Sequence, residues 1–200
     1  MSTIAATNLK NASSGTNNVV LNSDGTTTIA SPSNIIKSGT AVASTSGTSI
    51  DFTSVPSWVK RITVMFSGVS VIGTTASVNN HLIIQIGSST FTTSGYAAGS
   101  TATSTNTSGT GSGQSGLNLT NGFCIFCDIG TAAVNAAMTL VNISGNTWVS
   151  SHNGYLGSLN YSVFGGGILT LTGVLDRVRI TTNGGSATFD AGTINILYEG

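Results

Sequence analysis

Apolar and polar side chains alternate along most of this chain, and residues 57–68 show the pattern most clearly. One parity of this stretch is apolar: Ile62, Val64 and Phe66. The other parity carries Arg61, Thr63, Met65 and Ser67. Because successive side chains of a strand point to opposite faces of a sheet, this alternation predicts a strand with one buried face. Pro56 precedes the run and Gly68 follows its last apolar residue, as is usual at strand ends.

The same period of two returns at short intervals after residue 40, and it predicts about a dozen strands. The segment 81–87 places Leu82, Ile84 and Ile86 on one face, with His81 and Gln85 on the other. The further predicted strands are 41–45, 49–54, 117–127, 138–144, 147–151, 159–164, 168–172, 176–183, 187–190 and 193–199. Short strands with turn residues between them predict an all-β fold, an antiparallel β-sandwich that is jelly-roll-like.

Two segments predict more specific features. Residues 123–127 are apolar on both parities, which is typical of a strand buried on both faces. In 176–183, Val178 and Ile180 are expected to point inward, with Arg177 and Arg179 outward.

Residues 99–116 consist of Gly, Ser, Thr, Asn, Gln and a single Ala. A segment of this composition without apolar anchors is typical of flexible loops. We therefore expect a long surface loop between the strands on either side of it.

The first forty residues differ from the rest. They are mostly polar, and residues 18–29 are the one segment among them whose pattern predicts a secondary structure. Asp24-Gly25 lies there between two β-favouring runs and predicts a hairpin, because both residues tolerate positive φ. An isolated hairpin is marginal in water, and this one has few apolar side chains to bury. They are Val19, Val20, Leu21 and Ile29.

We therefore expect the hairpin to be stable only against another surface, with a second copy of the chain as its partner. This divides the chain into an N-terminal oligomerisation segment, 1–40, to which the resemblance given below adds particle attachment, and a β-sandwich outer domain, 41–200. Residues 31–34 are interpreted as the linker. A mobile tail with a transient turn is the alternative.

Charge excludes some classes of partner. The chain has six basic and six acidic residues, and charged residues make up 6% of it. Nucleic-acid binding needs clustered Lys and Arg, and this chain has few of either, so we expect no nucleic-acid partner. No apolar run approaches the ~20 residues that span a bilayer, and the first residues lack the basic and apolar regions of a secretory signal. We expect synthesis in a cytoplasm and no membrane insertion, a combination that a virion component would fit.

Cysteine and histidine give no metal or cofactor site. Cys124 and Cys127 match C-x-x-C, but further zinc ligands and a helix N-terminus are missing from the pattern, so we expect buried free thiols. His81 and His152 have no second ligand at suitable spacing and are interpreted as polar surface residues.

The six carboxylates, Asp24, Asp51, Asp128, Asp176, Asp190 and Glu199, are far apart in sequence. Glycoside cleavage needs two carboxyl groups on either side of a bond, and distant positions can meet in a sandwich. A small polysaccharide depolymerase using Asp51, Asp128 or Asp190 therefore stays open. No signature of a serine nucleophile accompanies them, and we expect no catalytic residue and no enzymatic activity.

Aromatic side chains are the better candidates for binding. Trp148, Tyr155 and Tyr161 lie in a stretch rich in Gly, Asn and Ser, beside His152 and Asn153. Rings next to amides and hydroxyls suit sugar recognition, so these five residues are the receptor-binding candidates. Core packing or subunit contact is the alternative. Trp58 is expected to cap the edge of the core.

Three segments carry a resemblance: residues 13–29, with the sequence around Asp24-Gly25, residues 55–70, and the closing strand 191–199. They resemble segments of tailed-bacteriophage tail fibre and virion-appendage proteins. The resemblance implies a homotrimeric, β-rich appendage whose N-terminal piece docks onto other virion proteins. Its outer domain would meet a glycan or a protein of the host surface. The resemblance supplies no catalytic residue.

The resulting hypothesis is a short homotrimeric tail fibre or tip protein that adsorbs to the host cell surface. A capsid decoration or head-fibre protein with a structural role is the alternative.

Overall fold

The computed structural model describes residues 7–10, 12–13, 15, 17–29, 36–105 and 111–200, with backbone alone at 105 and 111–114. Within them lie seventeen strands and one 3₁₀ turn, Val78–Asn80. The strands are β1 Asn8–Leu9, β2 Val19–Leu21, β3 Thr27–Ile29, β4 Lys37–Ser38, β5 Val42–Ala43, β6 Ser49–Thr53, β7 Arg61–Val71, β8 Leu82–Ser88, β9 Thr90–Phe91, β10 Ala97–Thr105, β11 Gly111–Leu119, β12 Phe123–Ile125, β13 Val134–Ser144, β14 Thr147–Leu156, β15 Tyr161–Thr170, β16 Arg177–Thr182 and β17 Phe189–Glu199.

These strands pair into three antiparallel sheets. The large sheet has nine strands, in the order β11-β10-β15-β14-β13-β7-β17-β4, and β5 also pairs with β17. The small sheet has five, in the order β12-β8-β16-β6, with β9 beside β8. The N-terminal sheet has three, in the order β1-β2-β3. The prediction of an all-β antiparallel sandwich is confirmed, and its jelly-roll-like connectivity stays a prediction.

The core lies between the large and small sheets. Ile62, Val64 and Phe66 of β7 are buried, and they belong to one apolar cluster with Ile84 of β8 and Ile180 of β16. The alternation predicted for residues 57–68 is therefore confirmed. β7 also pairs with β13 on one side and β17 on the other, which places it inside the large sheet.

The N-terminal hairpin is also confirmed. Its turn is closed by Asp24, whose Oδ1 accepts hydrogen bonds from the backbone N and the hydroxyl of Thr26, and Gly25 has a φ of +84°. The sequence did not predict β1, which adds a third strand. The predicted linker lies outside the described residues. β4, which falls within the first forty residues, pairs with Leu197 and Tyr198 of β17 and so belongs to the large sheet.

The prediction of a surface loop at 99–116 is wrong. β10 and β11 pair with each other through most of this segment, and β10 also pairs with β15. Ala98, Ser100 and Ala102 point inward and are buried. Such small side chains show little contrast between apolar and polar positions, so the period of two is hidden. Residues 106–110, between the two strands, lie outside the described residues.

Predicted strand boundaries fail where glycines occur. The two strands predicted at 159–164 and 168–172 are one strand, β15, which continues through Gly165–Gly167. A methyl group at Gly165 would overlap the carbonyl oxygen of Gly99 and lie 2.6 Å from Cε1 of His152. These glycines therefore allow close packing and do not mark a turn. Similarly, 187–190 and 193–199 are one strand with bulges, whereas 117–127 is divided between β11 and β12.

We expect Gly165→Ala to destabilise the protein by about 2 kcal/mol, because the added methyl has no space between β10 and His152. The matched control is Gly116→Ala in β11, where a methyl would have no atom within 4 Å. Urea unfolding followed by tryptophan fluorescence measures both. Equal unfolding midpoints for the two variants would contradict this packing.

Candidate functional site

The five receptor-binding candidates do not form one surface. Trp148 and His152 point into the core and are 3% and 6% exposed, so neither offers an external contact in this structure. Tyr161 is partly buried and packs against the core. Asn153 and Tyr155 have the opposite parity on β14, and both are exposed. Only these two candidates therefore lie on the outer face of the large sheet, and their role stays a prediction.

Phe164 completes a surface that we call the aromatic patch, defined as Asn153, Tyr155 and Phe164. Phe164 of β15 lies directly opposite Asn153, and its side chain is 48% exposed. Tyr155 is 45% exposed. The patch lines an open depression of about 560 Å³, together with small and amide side chains from the neighbouring strands. These include Asn135, Ala136, Ala137 and Ser162.

Hydrogen bonds among the described residues fix side chains at the edge of the patch, and the Asn153 amide at its centre takes part in none of them. Tyr155 Oη donates to Asn160 Oδ1 at 2.7 Å, which orients the ring. Asn135 Oδ1 accepts from the backbone N of Gly68 at 2.9 Å. Within the described part of the chain, the side chain of Asn153 has no hydrogen-bond partner. Its amide is therefore available between two exposed rings.

The face around the patch is uncharged. None of the outward-facing side chains of β13, β14 and β15 is charged, and most are Ser, Thr, Asn, Ala or Gly. A charged pair does lie on this sheet, Arg61 with Glu199, which are neighbours on β7 and β17. Sequence reasoning missed Phe164 because Tyr161–Thr170 contains apolar residues on both parities, so the pattern does not show which one faces out.

A second surface lies on the N-terminal sheet. Directly opposed residues share a face, so Leu9, Val19 and Ile29 form one row across β1, β2 and β3, and Leu21 lies on the same face. We call these four side chains the N-terminal apolar face. Leu9, Leu21 and Ile29 are 52%, 46% and 53% exposed in the single chain. Val20, the remaining candidate, lies on the opposite face beside Asn8 and Thr28.

The interpretation of both histidines as surface residues is wrong. His81 is 4% exposed, and its Nδ1 accepts a hydrogen bond from the backbone N of Cys127 at 2.9 Å. His152 Nε2 and Ser100 Oγ are hydrogen-bonded at 3.0 Å, and Ser100 Oγ also accepts from the backbone N of Phe126. Burial lowers the pKa of His81, and it lowers that of His152 to about 4. His152 was misassigned because the strand predicted at 147–151 continues to Leu156, with His152 on its inner face. His81 was misassigned because segments outside the strand ladders cover the second face of β8. One example is Asn121, whose carbonyl accepts from Gln85.

Ser100 and His152 are spaced like a nucleophile and its general base, but a substrate has no access to them. Both are buried, and Ser100 already accepts the Phe126 amide. The pair therefore joins the segment after β12 to the large sheet, and a substrate cannot reach it in this structure.

The cysteines are free and buried, which confirms the prediction. Burial raises the pKa of Cys124 to about 11 and that of Cys127 to about 12, so both thiols stay protonated at neutral pH. In the part of the chain that the structure describes, His, Cys, Asp and Glu form no group of three or more suited to a metal ion.

Three of the carboxylates are paired with arginine: Asp51 with Arg179, Asp176 with Arg177, and Glu199 with Arg61. Asp51 accepts two hydrogen bonds from Arg179, at 2.8 and 2.7 Å, and the Arg179 guanidinium lies 4.0 Å from the centre of the Phe91 ring. The Arg177 guanidinium lowers the pKa of Asp176. The depolymerase candidates lie on different elements: Asp51 on β6, Asp128 after β12 and Asp190 on β17.

No protein-family model matches this chain, and no curated protein matches it either. Among the described residues, no helix is long and apolar enough to cross a membrane.

We expect stability to fall between about pH 6.5 and pH 4. The pKa of His152 is 6.5 in an unfolded chain and about 4 when folded, so the unfolded state binds more protons in this range. Stability from this group is complete above pH 6.5, and up to about 3 kcal/mol is lost by pH 4. The lowered pKa of His81 acts in the same direction.

Urea unfolding midpoints across this range measure the effect, with His152→Gln as the comparison. The variant should show a flatter dependence on pH, whatever its stability at pH 7. An unchanged slope in His152→Gln would contradict the assignment to His152.

Proposed function

We propose that this chain is a non-enzymatic bacteriophage virion protein, a short homotrimeric tail fibre or tip protein that adsorbs to the host cell surface. Its N-terminal sheet joins copies of the chain and the particle, and its sandwich domain carries the surface that meets the host. The resemblance of residues 13–29, 55–70 and 191–199 to virion-appendage segments supports this function. The fold and the two exposed surfaces are compatible with it.

The single observation that carries the proposal is the N-terminal apolar face. A hairpin of such short strands is marginal in water, and an apolar face stabilises a small sheet when it is packed away from water on another surface. Leu9, Leu21 and Ile29 are about half exposed, so the residues that the structure describes do not fully cover this face. Contiguous exposed apolar side chains of this kind mark protein contact sites. A partner outside the single chain supplies the cover.

The outer face of β13, β14 and β15 carries no charged side chain, which supports adsorption to neutral ligands. Its hydroxyls, amides, aliphatic side chains and two exposed rings make weak contacts with many such ligands. Three copies on one appendage would raise the avidity of such contacts without strengthening any one of them.

The assembly can be tested by light scattering of the full chain at micromolar concentration. We expect three times the mass of one chain, and the mass of a single chain for a variant with Leu21→Asp and Ile29→Asp. Charges on that face would have to be buried without partners, which is costly. Ile72→Asp, at an exposed residue beyond β7, is the control and should keep the assembly. A stable monomer of the unaltered chain would contradict the proposal.

The location on the particle is tested by deleting residues 1–35 from the gene in a phage that carries it. We expect particles that lack the protein and adsorb poorly, because the attachment segment is gone. Electron microscopy with labelled protein identifies which part has lost it. Loss from the capsid with unchanged adsorption would support the structural alternative, a decoration or head-fibre protein.

A further inference from the structure

We propose that the aromatic patch binds a neutral sugar ring, with Tyr155 and Phe164 as its stacking surfaces and the Asn153 amide as its hydrogen-bonding group. This inference rests on the proposed function, which leaves open whether the host receptor is a glycan or a protein. It assigns both the class of ligand and the residues that contact it.

The register of β14 and β15 sets the spacing of the patch. Tyr155 lies opposite Ser162, and Phe164 lies two residues further along β15, so the two aromatic residues are diagonal neighbours. Diagonal neighbours in an antiparallel pair are about 7–8 Å apart. Ser162 and Ala137 are the small side chains beside them. A single pyranose ring therefore fits across the patch, against both aromatic side chains.

Asn153 occupies the position from which it can contact such a ring. It is opposite Phe164 and two residues from Tyr155 on the same face, so its amide lies beside both rings. Its donor and acceptor are unused within the described residues. A sugar hydroxyl can both donate and accept, so one amide can bind two neighbouring hydroxyls.

Charge decides between ligand classes. Phosphates, acidic sugars and nucleic acids are recognised by Arg and Lys, and the lining of the depression contains neither. An extended peptide binds by adding to a sheet edge, but β14 and β15 are paired on both sides. Rings exposed by nearly half, an unpaired amide and an uncharged surround complement the C–H faces and hydroxyls of a neutral sugar.

Affinity electrophoresis of the full chain in gels containing dextran, mannan or galactan tests the inference. We expect retardation in at least one of these neutral polysaccharides. Tyr155→Ala, Phe164→Ala and Asn153→Ala should each weaken it by about five- to tenfold, which corresponds to the loss of one stacking or hydrogen-bonding contact. Tyr155→Phe keeps the ring and should retain most of the binding. Added salt should have little effect, because no charge pair is screened.

The matched control is Ile168→Ala, four residues from Phe164 on the same face of β15 and 43% exposed. It should bind as the unaltered chain does. Thermal unfolding confirms that each variant is folded. Failure to bind any of the three polysaccharides, or unchanged binding after Tyr155→Ala and Phe164→Ala together, would overturn the proposal. So would loss of subunit assembly in the double variant without sugar binding by the unaltered chain, since the patch would then be a contact between copies.

The outcomes separate this site from the proposed function. If the unaltered protein binds no sugar but is lost from the particle when residues 1–35 are deleted, the sugar site is contradicted and the appendage function stands. If a phage carrying the double variant adsorbs normally although its protein no longer binds sugar, the sugar site stands and its role in adsorption is contradicted.

Discussion

Packing of the large sheet against the small one is the interaction on which the rest of the structure depends. Charged residues make up only 6% of the chain, so ion pairs contribute little, and burial of apolar side chains supplies most of the stability. β7 lies inside the large sheet, and Ile62 and Val64 are fully buried under it. Opposite them, β8 and β16 contribute side chains such as Ile84 and Ile180.

This core divides the side chains of each strand between two tasks. On β14, Trp148 and His152 point inward and fill the core, whereas Asn153 and Tyr155 point outward and are free to contact a ligand. The division requires small residues where strands approach closely. Gly165 provides the space for the His152 ring, and the hydrogen bond between His152 and Ser100 then joins two strands of the large sheet to the segment after β12. The strand that carries Asn153 and Tyr155 is therefore also linked to β10 through a buried histidine.

The sequence predicts an element well where apolar and polar positions contrast. β7 alternates between buried apolar residues and mostly polar ones, β16 alternates between apolar residues and arginine over residues 177–180, and both have the predicted faces. β10 and β11 contain Gly, Ser, Thr, Ala and few other residues. Their inward-facing side chains are selected by small size and not by hydrophobicity, so the sequence shows no alternation of apolar and polar positions there. The boundary inside β15 was misplaced for a related reason, because glycine permits close packing as well as turns.

The site could be predicted only in part. Parity along β14 separates Asn153 and Tyr155 from the buried candidates, but the sequence does not show which parity faces outward at Phe164. The burial of His81 and His152 depends on segments that lie far apart in sequence. In the N-terminal sheet, Asp24-Gly25 predicts the hairpin from the sequence alone. The row formed by Leu9, Val19 and Ile29 could not be predicted, because it depends on how a third strand pairs with the hairpin.

The central claim is that the N-terminal sheet is stable only in contact with a partner outside its own chain, and amide hydrogen exchange tests it most directly. We expect the amides of β2 and β3 to exchange slowly in the assembled protein and rapidly after dilution to single chains, while β7 stays protected in both states. Slow exchange in β2 and β3 that does not depend on protein concentration would contradict the claim, because the sheet would then be stable within one chain.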